Sequence, residues 1–182
     1  VMDFARPDGG RLIFNDIGQT YTPKMEFVEE HDVEPTNYET RKIYRSSGSI
    51  ARGNKEVIVS FTNDFWDEEE GDRNLHIVSI RIHHGTGTND LQVDLSKFDE
   101  DPELPGRCGD MRDEGFALWS TQSGPEACNI TEAFNAPVAG QYTVEVEAWA
   151  EQAGDEVASM QVVVNDLDLL AGQSAGATAI KE

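Results

Sequence analysis

Apolar and polar residues alternate along most of this chain in short runs, and the runs are separated by turn-forming residues rather than by helical spacing. That pattern predicts half-buried strands at residues 11–14, 24–28, 38–44, 55–62, 75–82, 91–95, 116–119, 129–134, 141–149 and 157–164. The clearest are VIVSF, ending at Phe61, and YTVEVEAW, ending at Trp149. About ten such strands with Gly- and Asp-rich turns predict an all-β fold, an antiparallel β-sandwich of jelly-roll type. The 182 residues suit a single domain with a proper core. Residues 85–115, rich in Gly, Pro and acid, read as a long connection. The small residues at the C-terminus read as a loose tail or edge strand. Around Met25 and Met160, PKMEFVEEHDVE and ASMQVVVNDLDL echo one another, a faint sign of duplication.

Charge narrows the partners. Thirty-five Asp and Glu against fourteen Lys and Arg give a net charge of −21, which repels nucleic acid and anionic membranes. No apolar run approaches the roughly 20 residues of a membrane span, and no basic, then apolar, export leader is visible. Most of the acids read as a solvated surface, and a few as ligands for a hard cation such as Ca²⁺, which binds oxygen donors. Cys108 and Cys128 lie in Gly/Pro-rich surroundings; a loop-closing disulfide is favoured over two free thiols and points to a secreted, periplasmic or cell-surface location.

Chemistry concentrates between residues 57 and 82. A strand ends at Phe61, a loop carries Asn63, Asp64, Asp67, Glu68, Glu69, Glu70, Asp72 and Asn74, and a second strand returns. Such a loop displays oxygen donors at one rim of a rigid scaffold. It does not fit the EF-hand spacing. Phe65 and Trp66 interrupt the acids; they suit a sugar-stacking platform, or Trp66 folds back over the end of the sandwich. Trp119 and Trp149 lie in strands and suit the core.

Phe61-Thr62-Asn63-Asp64 followed by the apolar strand from Asn74 resembles the calcium-dependent xylan-binding modules, carbohydrate-binding module families thirty-six and sixty. A second stretch, YTVEVEAWAEQAGDEVASMQVVV, resembles the strand, Gly-Asp-Glu turn and strand of the same modules, with Asp155 and Glu156 in the turn. The two stretches stand in the reverse of the family's order, which favours circular permutation over a cut through tandem copies or exchange of halves between chains.

The resemblance implies a non-catalytic module in which sugar hydroxyls complete the shell of a bound Ca²⁺. It carries Asp64 onto a calcium ligand and puts Asn74 where the family usually has Asp, with Asp72 taking over the missing charge. Asn63, Asp155 and Glu156 complete the expected metal rim, and Trp66, Phe65 and Asp64 the carbohydrate contact. The expected partner is a plant or algal polysaccharide of xylan type, within a larger secreted protein. A calcium-stabilised structural or interaction domain is the alternative.

An enzyme is the weaker reading. There is no nucleophile elbow, phosphate loop or HExxH, and with this many acids a pair at glycosidase spacing means nothing. His83-His84 reads as a surface pair, and His31 and His76 as structural.

Overall fold

The computed structural model describes residues 4–5, 11–12, 24–85, 90–98, 109–119 and 128–167. The elements in chain order are β1 (Phe4–Ala5), β2 (Arg11–Leu12), β3 (Lys24–Val33), a 3₁₀ turn (Tyr38–Thr40), β4 (Lys42–Ile50), β5 (Gly53–Phe61), β6 (Phe65–Asp67), β7 (Gly71–Arg73), β8 (Leu75–His84), β9 (Leu91–Gln92), a second 3₁₀ turn (Leu95–Phe98), β10 (Gly109–Arg112), β11 (Gly115–Leu118), β12 (Cys128–Ala136), β13 (Gly140–Ala150) and β14 (Ala158–Asp166). The all-β expectation holds.

Two antiparallel sheets form the sandwich. One has the order β12-β5-β14-β3 and the other β10-β11-β8-β13-β4, with β9 also on β8. Alternation places Val57, Val59 and Phe61 of β5, and Met160, Val162 and Val164 of β14, on the inner face of the first sheet. Ile80 and Ile82 of β8 and Val144, Val146 and Ala148 of β13 meet them from the second.

Two boundaries differ from the expectation. Residues 38–44 are not one strand, because the Asn37 side chain and Thr40 form a capping box that closes a 3₁₀ turn before β4 begins at Lys42. The connection at 85–115 also contributes β10, hydrogen-bonded to β11, and the strand expected at 91–95 is shortened to β9, ending at Gln92 before the second 3₁₀ turn. Met25 and Met160 are not equivalent positions: Met25 is exposed and Met160 fully buried, on strands that are antiparallel neighbours. Cys108, the Cys128 side chain and the C-terminal residues 168–182 lie outside the described residues, and with them the expected disulfide and the expected tail or edge strand.

Sequence order and sheet order part company in one respect. β14 lies between β5 and β3, and β13 between β8 and β4, so the last two described strands occupy the middle of the two sheets. At one end of the sandwich the chain crosses between sheets through residues 62–74 and again through residues 151–157.

Candidate functional site

These two crossings touch. Thr62 N and Oγ1 both donate to Ser159 O, at 3.0 and 3.2 Å. Asn63 Nδ2 donates to Val157 O at 2.8 Å while its Oδ1 accepts from Ser159 N at 2.6 Å, so both ends of this amide are engaged in bracing one loop against the other. Arg73, the one cation in residues 63–74, is 3% exposed. It donates from Nη1 to Asn63 O and from Nη2 to Ala153 O, each at 2.7 Å, and its guanidinium lies 5.3 Å from the centre of the Phe65 ring. Gly154 has φ +68°, and a Cβ there would come within 3.1 Å of Glu70 Oε2 and 3.3 Å of Phe65. A side chain at 154 would meet both that backbone conformation and these atoms.

Between the crossings, β6 and β7 form a small hairpin that sets Phe65 opposite Arg73 and Trp66 opposite Asp72. Asp67 Oδ1 accepts from Glu69 N and Glu70 N at 2.7 and 3.2 Å, an Asx-type closure of the turn. Trp66 is 66% exposed and stands directly across from Asp72, whereas Phe65 is half-buried beneath the Arg73 guanidinium. Trp66 therefore does not fold back into the sandwich.

Asn74 is buried at the start of β8. Its Nδ2 donates to Asp72 Oδ2 at 3.0 Å and to Glu151 Oε2 at 2.6 Å, and its buried Oδ1 has no hydrogen-bond partner among the described residues. Glu151 N in turn donates to Asn74 O at 3.0 Å. The other Glu151 oxygen lies 3.6 Å from Nε2 of buried His76, whose ring stacks on Trp149 at 3.7 Å. Burial holds His76 below the ordinary histidine pKa, against the opposing pull of Glu151.

The structure thus gathers Asn63, Asp64, Asp72 and Asn74 on one loop and brings the 153–156 turn beside it. Glu156 reaches Arg73 at 3.7 Å, and both Asp155 and Glu156 are exposed. Among the described residues, no three His, Cys, Asp or Glu side chains converge closely enough to form a metal cluster by themselves. The carboxylates of Asp72 and Glu151 gather at the Asn74 Nδ2 and not at its Oδ1, so these three side chains offer a hard cation an all-oxygen set only with the amide turned end for end.

Glu151 and Arg73 were not singled out from the sequence. Arg73 carried a usable signal, since one cation inside a run of acids must find oxygen partners. Glu151 carried none, being one of many acids at a strand end. The histidines are dispersed: His31 Nε2 lies 2.7 Å from Ser46 Oγ, His83 lies 3.9 Å from Asp90, and His84 packs on Tyr142.

Comparison with protein families finds that residues 17–93 match CBM60, described as a Ca-dependent carbohydrate-binding module, xylan-binding. The resemblance drawn from Phe61 to Asp64 and the strand after Asn74 falls inside that stretch and is borne out by it. The segment from Tyr142 to Val164 falls outside it. Among curated proteins, none matches the chain.

Proposed function

We propose that this protein is a non-catalytic module that binds a xylan-type plant or algal polysaccharide through a calcium ion held at the rim formed by residues 62–74 and 151–157. The observation that carries the reading is the physical junction of those two crossings, with an exposed Trp66 facing the same way as Asp72. The family match supports the ligand class.

Asp64, Asp72 and the Asn74 amide oxygen would hold the ion once that amide turns its oxygen toward Asp72 and Glu151, with Glu151 supplying the charge that Asn74 lacks. Asn63 and Arg73 would hold the loop in place. Asp155 and Glu156 would add negative potential at the open side. Calcium, when bound, accepts neutral oxygens and exchanges water readily, so two adjacent sugar hydroxyls can replace two waters. Trp66 offers a flat apolar face on which a sugar ring can rest. We read the two family-like stretches as a circular permutation closed within one chain, since β13 and β14 complete sheets begun by β3, β4, β5 and β8. The acidic surface and polysaccharide ligand favour a secreted or cell-surface setting within a larger protein.

Titration calorimetry with xylo-oligosaccharides, in calcium and in excess chelator, tests this. Sugar binding that disappears with chelator supports the proposal. Chelator-sensitive melting without any sugar binding supports the calcium-stabilised interaction domain instead.

A further inference from the structure

At the end of the sandwich opposite the acidic rim, Lys55 is 0% exposed. It takes an inward position on β5 in step with Val57, Val59 and Phe61, where an apolar side chain is the rule. Phe134 stands across from it on β12 and Asp166 on β14. Its Nζ lies 2.9 Å from Asp166 Oδ1 and 3.4 Å from Glu26 Oε1. The two carboxylates are themselves largely covered, Glu26 at 9% and Asp166 at 23% exposure.

Glu26 reaches the amine through a backbone irregularity. Val164 pairs with Phe27 and Asn165 with Met25, so Glu26 is the extra residue of a bulge on β3. A bulge re-aims a side chain, and here it delivers a second carboxylate to an amine that already has one.

We propose that this trio is a self-modification site, at which Lys55 Nζ and Asp166 Cγ condense to an amide with Glu26 carrying the proton. Transfer of one proton from the ammonium to the Asp166 carboxyl keeps the proton count and removes two opposite charges from an interior where charge is costly. The neutral amine then attacks Cγ of the neutral acid. As the C–N bond forms, the Glu26 carboxylate takes a proton from nitrogen, and it returns that proton to the hydroxyl on Cγ. The C–O bond breaks and water leaves. No oxidant, reductant or co-reactant is consumed.

In bulk water such a condensation is unfavourable. Here the amine is held 2.9 Å from an oxygen of the acid it joins, and well-oriented intramolecular reactions reach effective concentrations of about 10⁵ to 10⁸ M. The product ties the two paired strands β5 and β14 together through a covalent bond.

Intact mass spectrometry of the full chain, unfolded after purification, decides the matter. The expected mass is one water below that of the sequence, and protease digestion yields a branched peptide joining Lys55 to Asp166. Lys55→Arg keeps a cation but lacks the nucleophilic amine, and Glu26→Gln keeps the shape but cannot take the proton; both are expected at full sequence mass while still folded by circular dichroism. A folded parent chain at full sequence mass, or water lost from any other site, overturns the proposal. A cross-link that persists in Glu26→Gln overturns the role of Glu26.

Discussion

Replacing Asn74 by Asp should convert a rim that holds itself together without an ion into one that depends on calcium. The Asn74 amide now donates to Asp72 at 3.0 Å and to Glu151 at 2.6 Å. Asn74→Asp removes both bonds and sets three carboxylates side by side. At those separations each pair of unit charges repels by about 1.5 kcal/mol in a water-like medium and by about 6 kcal/mol at an effective dielectric near 20. Asp72 is exposed and Glu151 is 43% exposed, so both can swing away and most of the larger figure is relieved. A net loss of about 2 kcal/mol in calcium-free buffer is expected, or roughly 4 to 8 °C in melting temperature for a chain of this size.

Calcium should reverse it, because a ligand that binds only the folded state stabilises by RT ln(1 + [L]/Kd) and the variant offers the ion one more charge. The measurement is thermal unfolding at neutral pH, with calcium stepped from chelator excess to millimolar, for parent and variant in parallel. The variant should melt lower without calcium and show the larger calcium-induced rise. Equal rises in the two proteins would refute calcium at Asn74. A variant that melts as high as its parent in chelator would refute the repulsion itself.

The same geometry sets the outcome of other changes. Trp66→Ala should weaken xylo-oligosaccharide binding by about tenfold, roughly 1.4 kcal/mol, and leave the melting temperature nearly unchanged because the side chain is exposed. Asp64→Ala should abolish calcium-linked stabilisation and sugar binding together; calorimetry on both variants shows whether the two effects separate. Asn63→Ala cuts two hydrogen bonds between the crossings and leaves Ser159 N and Val157 O without this partner, so urea unfolding should show a loss of about 2 to 4 kcal/mol. A fragment of residues 17–93 should show no cooperative unfolding by circular dichroism, since it lacks the strands that join β3 to β5 and β4 to β8; a sharp transition from the fragment alone would contradict this.

The sequence revealed the strands best where one face is buried and the other wet. VIVSF and YTVEVEAW alternate cleanly because their inward residues meet the opposite sheet, and both lie where they were expected. Short elements were harder to see. β10, with the sequence GDMR, has no apolar repeat, and its pairing with β11 comes from a tight turn at Asp113 and Glu114. At 38–44 the aromatic and β-branched residues suggested a strand, but the local Asn37–Thr40 capping box prevailed over that propensity.

At the rim, the acidic loop was evident from composition, while its partners were not. Glu151 joins Asn74 only because β13 ends beside the start of β8, a long-range pairing that no local pattern encodes. Lys55 is a similar case. A lysine at an inward strand position looks like an error of alternation until Asp166 and the bulged Glu26 are seen around it.

The placement of β13 and β14 in the middle of their sheets governs how the molecule can be made. While the polypeptide emerges from the ribosome, β3, β4, β5 and β8 are without their neighbours β13 and β14 and present unpaired edges. Assembly waits until roughly the last quarter of the described chain has been synthesised, so contacts of high sequence separation must form together and late. During that interval the nascent chain is exposed to aggregation and to proteases, and it is also still loose enough to be threaded through a translocation pore.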